Sequence, residues 1–417
     1  MEIQLLGGAS EVGRSAILLK DSKNILLDYG VKIDGKTEYP MSAGRVDAFV
    51  LSHAHLDHSG NGPALYNAHS PQTFGTEPTR RLSELLLEDS MKINRAKHER
   101  PPFFSKQMKH FLDKFIPCKF GSVKDFAGEY FITLNDAGHI CGSSVTTIEK
   151  GRTGKKLVYT GDFKLGDQFL QRPAEIVESD VLVIESTYAT REHPDKNEVV
   201  KKFIAEVKEG VDNGETVLLP CFAVGRSQEI LAALYQHGLI EYTYLDGMAK
   251  AATEIVMSFP DFTHNKELLA SAMKHAMWIG MGHQRKHALD GPSVIVTTSG
   301  MLSGGPVLDY ITKLKENSRI ILTGYQAEDT NGRRLMEGKP IIIDGKKHLI
   351  KSPLSFYDFS AHAGKKDLYE YVRKSNPETI ICVHGDEDNS RAFADQLKLE
   401  GFDANAPQVG ERIKVNF

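Results

Sequence analysis

Cysteine is scarce: four residues, Cys118, Cys141, Cys221 and Cys382, are scattered over 417 positions without a CxxC pair. That spacing excludes a disulfide framework and thiolate zinc, and it fits a reducing cytoplasm. Long apolar runs are missing as well. Runs such as Val181–Ile184 and Val294–Val296 are far too short to span a bilayer, so no membrane partner is expected. Met1-Glu2-Ile3-Gln4 opens without a basic region ahead of an apolar core, so no secretory signal is expected and the location is read as cytoplasmic. There is no excess of positive charge either: 51 Lys and Arg stand against 55 Asp and Glu, a net charge of −4. This excludes a blanket-basic nucleic-acid binder. A local basic groove remains open, since Arg80-Arg81, Arg333-Arg334 and Lys346-Lys347 occur, each readable as a solvated patch. Fixed-period repeats and low-complexity linkers are absent, and the length allows two domains.

What is present is a strand-rich beginning. Ile3–Leu6, Ala16–Leu19, Asn24–Asp28 and Ala48–Ser52 read as short strands, followed by helices around Thr79–Asn94 and Lys106–Phe115. Strands return at Tyr130–Asn135, Ser144–Glu149, Lys156–Thr160 and Val181–Glu185. From about residue 190 the rhythm becomes strand, loop, helix. Thr216–Pro220 leads to Arg226–Gln236, Tyr242–Leu245 to Ala249–Phe259, Ser293–Thr298 to Pro306–Leu314, and Arg319–Leu322 to Gly332–Met336. That succession predicts a parallel α/β sheet whose loops gather at the carboxyl ends of the strands. A last strand, Thr379–Val383, precedes a further helix. The expected division is 1–189 and 351–417 for an αββα-layered domain and 190–350 for an inserted α/β domain.

Histidine carries the chemistry. The strand ending at Ser52 runs into His53-Ala54-His55-Leu56-Asp57-His58, four ligand-type side chains in six residues. Alternate residues His53 and His55 can converge on one ion while Asp57 and His58 turn toward a second, and imidazole with carboxylate suits zinc better than magnesium. His139 in Ala137-Gly138-His139, Asp162 in Thr160-Gly161-Asp162 and His384 in Val383-His384-Gly385 each close a strand candidate. Singly each could be a turn residue; together they supply the ligands a two-metal site needs.

With these residues in place, the sequence resembles the metallo-β-lactamase superfamily, and Asp28 resembles its first motif, an Asp that orients a ligand. Glu185 in Glu185-Ser186-Thr187, His362 in Ser360-Ala361-His362 and His384 resemble the three further motifs of the β-CASP branch, whose members process nucleic acids. Cys221–Glu229, Thr298-Ser299-Gly300-Met301 and Gly324-Tyr325-Gln326 are similar to segments of its inserted domain. Within the branch, the chain is similar to the endonuclease subunit of the cleavage and polyadenylation specificity factor and its archaeal relatives. Many of these begin with KH domains; here a catalytic-domain strand starts at residue 3, so a form without KH domains is expected.

The resemblance implies an α/β fold, a metallo-β-lactamase αββα sandwich with an inserted parallel β-CASP domain. It implies two zinc ions, one held by His53, His55 and His139, the other by Asp57, His58 and His384, with Asp162 bridging. It further implies in-line hydrolysis of RNA leaving a 5′-phosphate, with Asp57, Asp28, His362 and Glu185 as catalytic residues and His362 aiding the scissile phosphate. Arg226 and the Ser299, Gly300 and Met301 loop are candidate substrate contacts, since Gly-rich turns present N–H groups. Phe103 and Phe104 read as packing under a turn more than as a stacking platform. The expected partner is single-stranded RNA; a homodimer or an RNA-processing complex is allowed by the resemblance. Endonuclease and 5′-to-3′ exonuclease remain open, and a small-molecule metallo-hydrolase is the alternative outside the branch. A histidine at position 384 argues against a DNA-directed enzyme, and the full ligand count argues against an inactive scaffold.

Overall fold

Alternation in the first strands sorts side chains onto two faces. In Glu2–Gly7, Ile3 and Leu5 point one way and Leu6 the other, and Ala16–Lys20 and Asn24–Leu27 repeat the pattern. The computed structural model describes residues 1–34 and 36–417. It resolves into two units: Met1–Asp167, Arg172–Glu192 and Ala361–Phe417 form the first, and Gln168–Gln171 with His193–Ser360 form the second.

The first unit holds two seven-stranded mixed sheets. One runs, in spatial order, Arg412–Lys414, Glu2–Gly7, Ala16–Lys20, Asn24–Leu27, Ala48–Val50, Gln72–Gly75 and Phe115–Pro117. The other runs Asp403–Asn405, Thr379–Val383, Val181–Glu185, Lys156–Tyr159, Ser144–Lys150, Tyr130–Asp136 and Val123–Phe126. Ile3, Leu5, Leu19 and Leu27 pack against Ile132, Leu134, Leu157 and Val183 in one core between the sheets. The outer face of the first sheet, with Leu18, Leu26 and Phe49, packs with Leu87 of helix Glu77–Ala96 and Phe111 of helix Ser105–Asp113. The outer face of the second, with Val158, Leu182 and Ile380, packs with Leu368 and Val372 of helix Lys365–Ser375 and Phe393 and Leu397 of helix Glu387–Leu399. These are the four layers of an αββα sandwich. The helix expected over Lys106–Phe115 stops at Asp113, because Phe115 pairs with Thr73 at the sheet edge.

The main sheet of the second unit has six strands, all parallel, in the order Met277–Trp278, Thr243–Leu245, Ser293–Thr297, Thr216–Pro220, Ser318–Leu322 and Leu354–Phe356. Leu354–Phe356 pairs in parallel with Ser318–Leu322, and the contact-defined unit runs on to Ser360. The structure also adds helix Lys196–Asp212, capped by Asp195 and buried through Val199, Phe203, Val207 and Val211. Among the described residues, no helix is long and apolar enough to cross a membrane.

Candidate metal centre

Six strand ends of the first unit deliver the chemistry. Asp28 follows Asn24–Leu27, the His53–His58 run follows Ala48–Val50, His139 follows Tyr130–Asp136, Asp162 follows Lys156–Tyr159, Glu185 closes Val181–Glu185, and His384 follows Thr379–Val383. Two quartets of ligand atoms result, each lying within 4.8 Å of one another: His53, His55, His139 and Asp162, and Asp57, His58, Asp162 and His384. Asp162 belongs to both. Its Oδ2 is 3.6 Å from His53 Nε2, 3.8 Å from His139 Nε2 and 3.3 Å from His58 Nε2, while His384 Nδ1 is 3.2 Å from Oδ1. Asp57 Oδ2 stands 3.4 Å from His384 Nε2.

The donor set fits metal ions. His53 Nε2, His58 Nε2, His384 Nε2 and Asp162 Oδ1 are buried and have no hydrogen-bond partner. An unsatisfied buried polar atom costs about 1–3 kcal/mol, and four aimed into one centre make sense as ligand atoms. The electrostatics agree. Burial and neighbouring imidazoles push His53 and His139 well below the ordinary histidine range. Burial works against a charge on His58 too, yet Asp162, Asp57 and Asp28 outweigh it and raise His58 well above that range. Burial would raise Asp57 and Asp162, but the facing histidines hold both carboxyls below the usual carboxylate range. Without metal, the centre is thus negative charge balanced by protons on imidazoles, which cations can replace.

A third grouping surrounds His362. Its Nδ1 is 3.0 Å from Glu185 Oε2, its Nε2 is 3.9 Å from Asp162 Oδ2, and Phe163 N–H donates to Glu185 Oε1 at 2.9 Å. Burial lowers the His362 pKa, but Glu185 and Asp162 override it and push it up to about 9.

Asp28 is the anchor beneath the ligands. Its Oδ2 is 2.7 Å from His58 Nδ1 and accepts from Ser52 Oγ at 2.6 Å and Tyr159 OH at 2.8 Å; its Oδ1 accepts Ser52 N–H at 2.7 Å. Ser52 Oγ also lies 3.1 Å from His53 Nδ1. Since the Ser52 hydroxyl proton goes to Asp28, His53 Nδ1–H donates to Ser52, which leaves His53 Nε2 bare toward the centre. Both Asp28 and His384 hold left-handed backbone conformations, φ +55° and +49°. Such strain in non-glycine residues persists where the surroundings dictate it; here Asp28 N–H is tied to Val50 O at 2.9 Å and His384 N–H to Gly8 O at 2.6 Å.

Glycine is obligatory at position 30. A Cβ there would lie 1.7 Å from Asp57 O and 2.5 Å from His58 N. Gly30→Ala is therefore expected to displace the ligand-bearing turn, costing at least about 2 kcal/mol, seen as a lower thermal midpoint together with reduced zinc content; a variant that melts and binds zinc like the parent would refute this.

Residues 17–187 match the metallo-beta-lactamase superfamily domain, 227–335 the Beta-Casp domain, and 350–407 the Zn-dependent metallo-hydrolase RNA specificity domain. A protein called probable RNase MJ4, from Methanocaldococcus jannaschii, is 37% identical, with 100% of each chain covered. The chain belongs to the β-CASP branch of the metallo-β-lactamase superfamily. RNase aCSPSF2 of Saccharolobus solfataricus is 38% identical over 99% of this chain and 85% of that one. The transcription termination factor FttA of Thermococcus kodakarensis is 33% identical over 98% of this chain and 70% of its own. A crystal structure of a protein of unknown function from Enterococcus faecalis V583 shares the fold, with TM-score 0.61, 15% identity and 99% of both chains covered.

Sequence reasoning about this β-CASP protein missed Ser52, Tyr159 and Thr187, whose Oγ1 lies 3.3 Å from His384 Nδ1. Ser52 had a signal, its place directly before His53; Tyr159 reaches Asp28 only through the packing of one sheet on the other. The substrate candidates gather in the second unit, at the carboxyl ends of adjacent strands. Phe222 is the meeting point. A Cβ on Gly300 would lie 2.9 Å from its backbone N, and one on Gly324 would lie 3.0 Å from its ring and 3.9 Å from Arg226 Nε. The Ser299 N–H is spent inside its own loop on Gly304 O at 3.2 Å, and Gly300 O accepts from Gln326 Nε2 at 3.0 Å. Met301 O accepts the N–H of Gly332 at 3.0 Å. Phe103 is buried in the first unit's core with Phe111, while Phe104 is 54% exposed. Cys141 is buried and forms no disulfide.

Proposed function

We propose that the chain is a two-zinc ribonuclease that cleaves RNA internally. The observation that carries this reading is the pair of ligand quartets sharing Asp162, with four of their atoms buried and without hydrogen-bond partners. His53, His55 and His139 would hold one zinc ion, Asp57, His58 and His384 the other, with Asp162 common to both. Zinc ions so held would supply Lewis acidity toward phosphate oxygens and would lower the pKa of a bound water. Asp28 sets the tautomer of His58 directly and that of His53 through Ser52. His362, protonated in the field of Glu185, offers Nε2–H to a scissile phosphate oxygen or to the departing 3′ oxygen. The RNase names of two relatives and the RNA specificity domain support RNA as the substrate. In the second unit, Arg226 and the Ser299-Gly300-Met301 loop are the proposed contacts to the RNA backbone.

The test is a circular, unstructured RNA offered to the zinc-loaded protein. Opening of the circle is expected. A circle that survives while a linear 5′-monophosphate RNA disappears would replace internal cleavage by 5′-to-3′ exonuclease action. Zinc-containing protein that leaves both intact would refute the ribonuclease reading.

A further inference from the structure

The Cys221–Glu229 motif ends in a residue the metal centre does not use. Glu229 is buried, and its two carboxylate oxygens accept the N–H groups of Phe169 and Leu170 at 2.8 Å each. Asn265 Nδ2 donates to Phe169 O at 2.7 Å and His264 N–H to Leu170 O at 2.8 Å. The segment Gln168–Gln171 is thereby fastened into the second unit from both sides. The Lys196 ammonium stands 4.5 Å from the centroid of the Phe169 ring. Between this segment and helix Lys196–Asp212 lies a groove of about 620 Å³. Phe169 and Ile204 give it an apolar floor, Lys196 and Lys201 its cationic groups, His237 an imidazole, and Asn197 and Gln236 its carboxamides.

We propose that this groove is a second RNA-binding site, separate from the metal centre, that takes a short single-stranded segment. The proposal rests on RNA being the substrate class. Three features choose the occupant. No carboxylate lines the groove, although the chain as a whole carries −4. Of the nearby acids, Glu229 accepts the two amides and lies in the field of Lys196, Asp195 caps the helix at Glu198 N–H, 3.0 Å, and Glu198 is exposed and outside the lining. Lys196 and Lys201 are separated by roughly 7.5 Å along the helix axis, a reach that successive phosphates of an extended strand can follow. Carboxamides both donate and accept, as base edges require, and an apolar floor suits a base face. An acidic peptide would satisfy the lysines and leave that floor without a flat partner.

The test measures binding of a fluorescein-labelled oligouridylate with 2′-O-methyl riboses, which resists cleavage, to the full zinc-loaded chain across a salt series. Lys201→Glu and His237→Glu alter exposed side chains and should leave folding intact; Lys196→Gln probes the cation over Phe169. Lys201→Glu should weaken binding about tenfold and flatten the salt dependence by about one unit of slope. Wild-type affinity in both Lys201→Glu and His237→Glu would overturn the proposal, as would polyglutamate of matched charge competing as well as RNA. Cleavage by the parent chain is read in parallel. Binding sensitive to Lys201 without any cleavage would sink the hydrolase reading and leave the groove standing; cleavage with unaltered binding in the variants would do the opposite.

Discussion

Asp162→Asn should fold and yet lose bound zinc and RNA cleavage. Its carboxylate is the one group common to the two quartets, so the substitution removes a negative charge from both positions at once while keeping the size and one acceptor oxygen. Metal that polarises a phosphoryl oxygen is worth several kcal/mol of transition-state stabilisation, and about 4 kcal/mol corresponds to roughly a thousandfold in rate. The expected result is zinc content well below that of the parent and cleavage down by at least about a thousandfold. Asp28→Asn provides the contrast. Asp28 touches His58 and Ser52 and offers no atom to a metal, so it should weaken zinc binding only about 10–100-fold, through misorientation of His58. Acid should mimic these losses. The metal-free centre keeps His58 protonated to well above the ordinary histidine range, and zinc must displace that proton, so apparent zinc affinity should fall as pH falls. Full zinc occupancy in Asp162→Asn, measured by metal analysis after dialysis, would refute the shared position.

Much of this candidate centre was legible because the residues it brings together are strand-end residues, and strand ends can be read from short apolar runs followed by Gly, Asp or His. Ala48–Val50 before His53, Lys156–Tyr159 before Asp162 and Thr379–Val383 before His384 are all of that kind. The layering followed from the same runs, since alternation such as Ile3, Leu5 against Leu6 forces a sheet buried on two faces. What stayed hidden depends on distant partners. Tyr159 finds Asp28 across the sandwich, 131 positions apart in the chain. Leu354–Phe356 is only three residues long, and nothing but its pairing with Ser318–Leu322 assigns it to the second unit. The fastening of Gln168–Gln171 by Glu229 likewise has no local signature, because a carboxylate that accepts backbone amides can look like any other acid in a helix. Helix Lys196–Asp212 is different. Its Asp195 cap and the Val199, Phe203, Val207 and Val211 stripe were readable, and the charged residues between them obscured the period.

His362→Ala should retain its zinc and lose cleavage. The imidazole contributes a proton and a positive charge where charge develops in the reaction, and removal of such a group lowers kcat by about 10²–10⁴-fold. Glu185→Gln acts through it. Burial alone would lower the His362 pKa; Glu185, 3.0 Å away, and Asp162 together bring it up to about 9. A group that works in its protonated form is fully competent below its pKa and fails as pH rises through it. Removing the Glu185 charge lowers that pKa, so the alkaline limb of the activity profile should move to lower pH, with the deficit smallest in acid and growing toward neutrality. This profile separates two roles that geometry alone leaves adjacent, because Asp162, Glu185, His362 and His384 also place ligand-type atoms within 4.8 Å of one another. If Glu185 and His362 held metal, both variants would lose zinc in step with activity and the alkaline limb would not shift. Retained zinc with a displaced limb assigns them instead to proton donation and its electrostatic support.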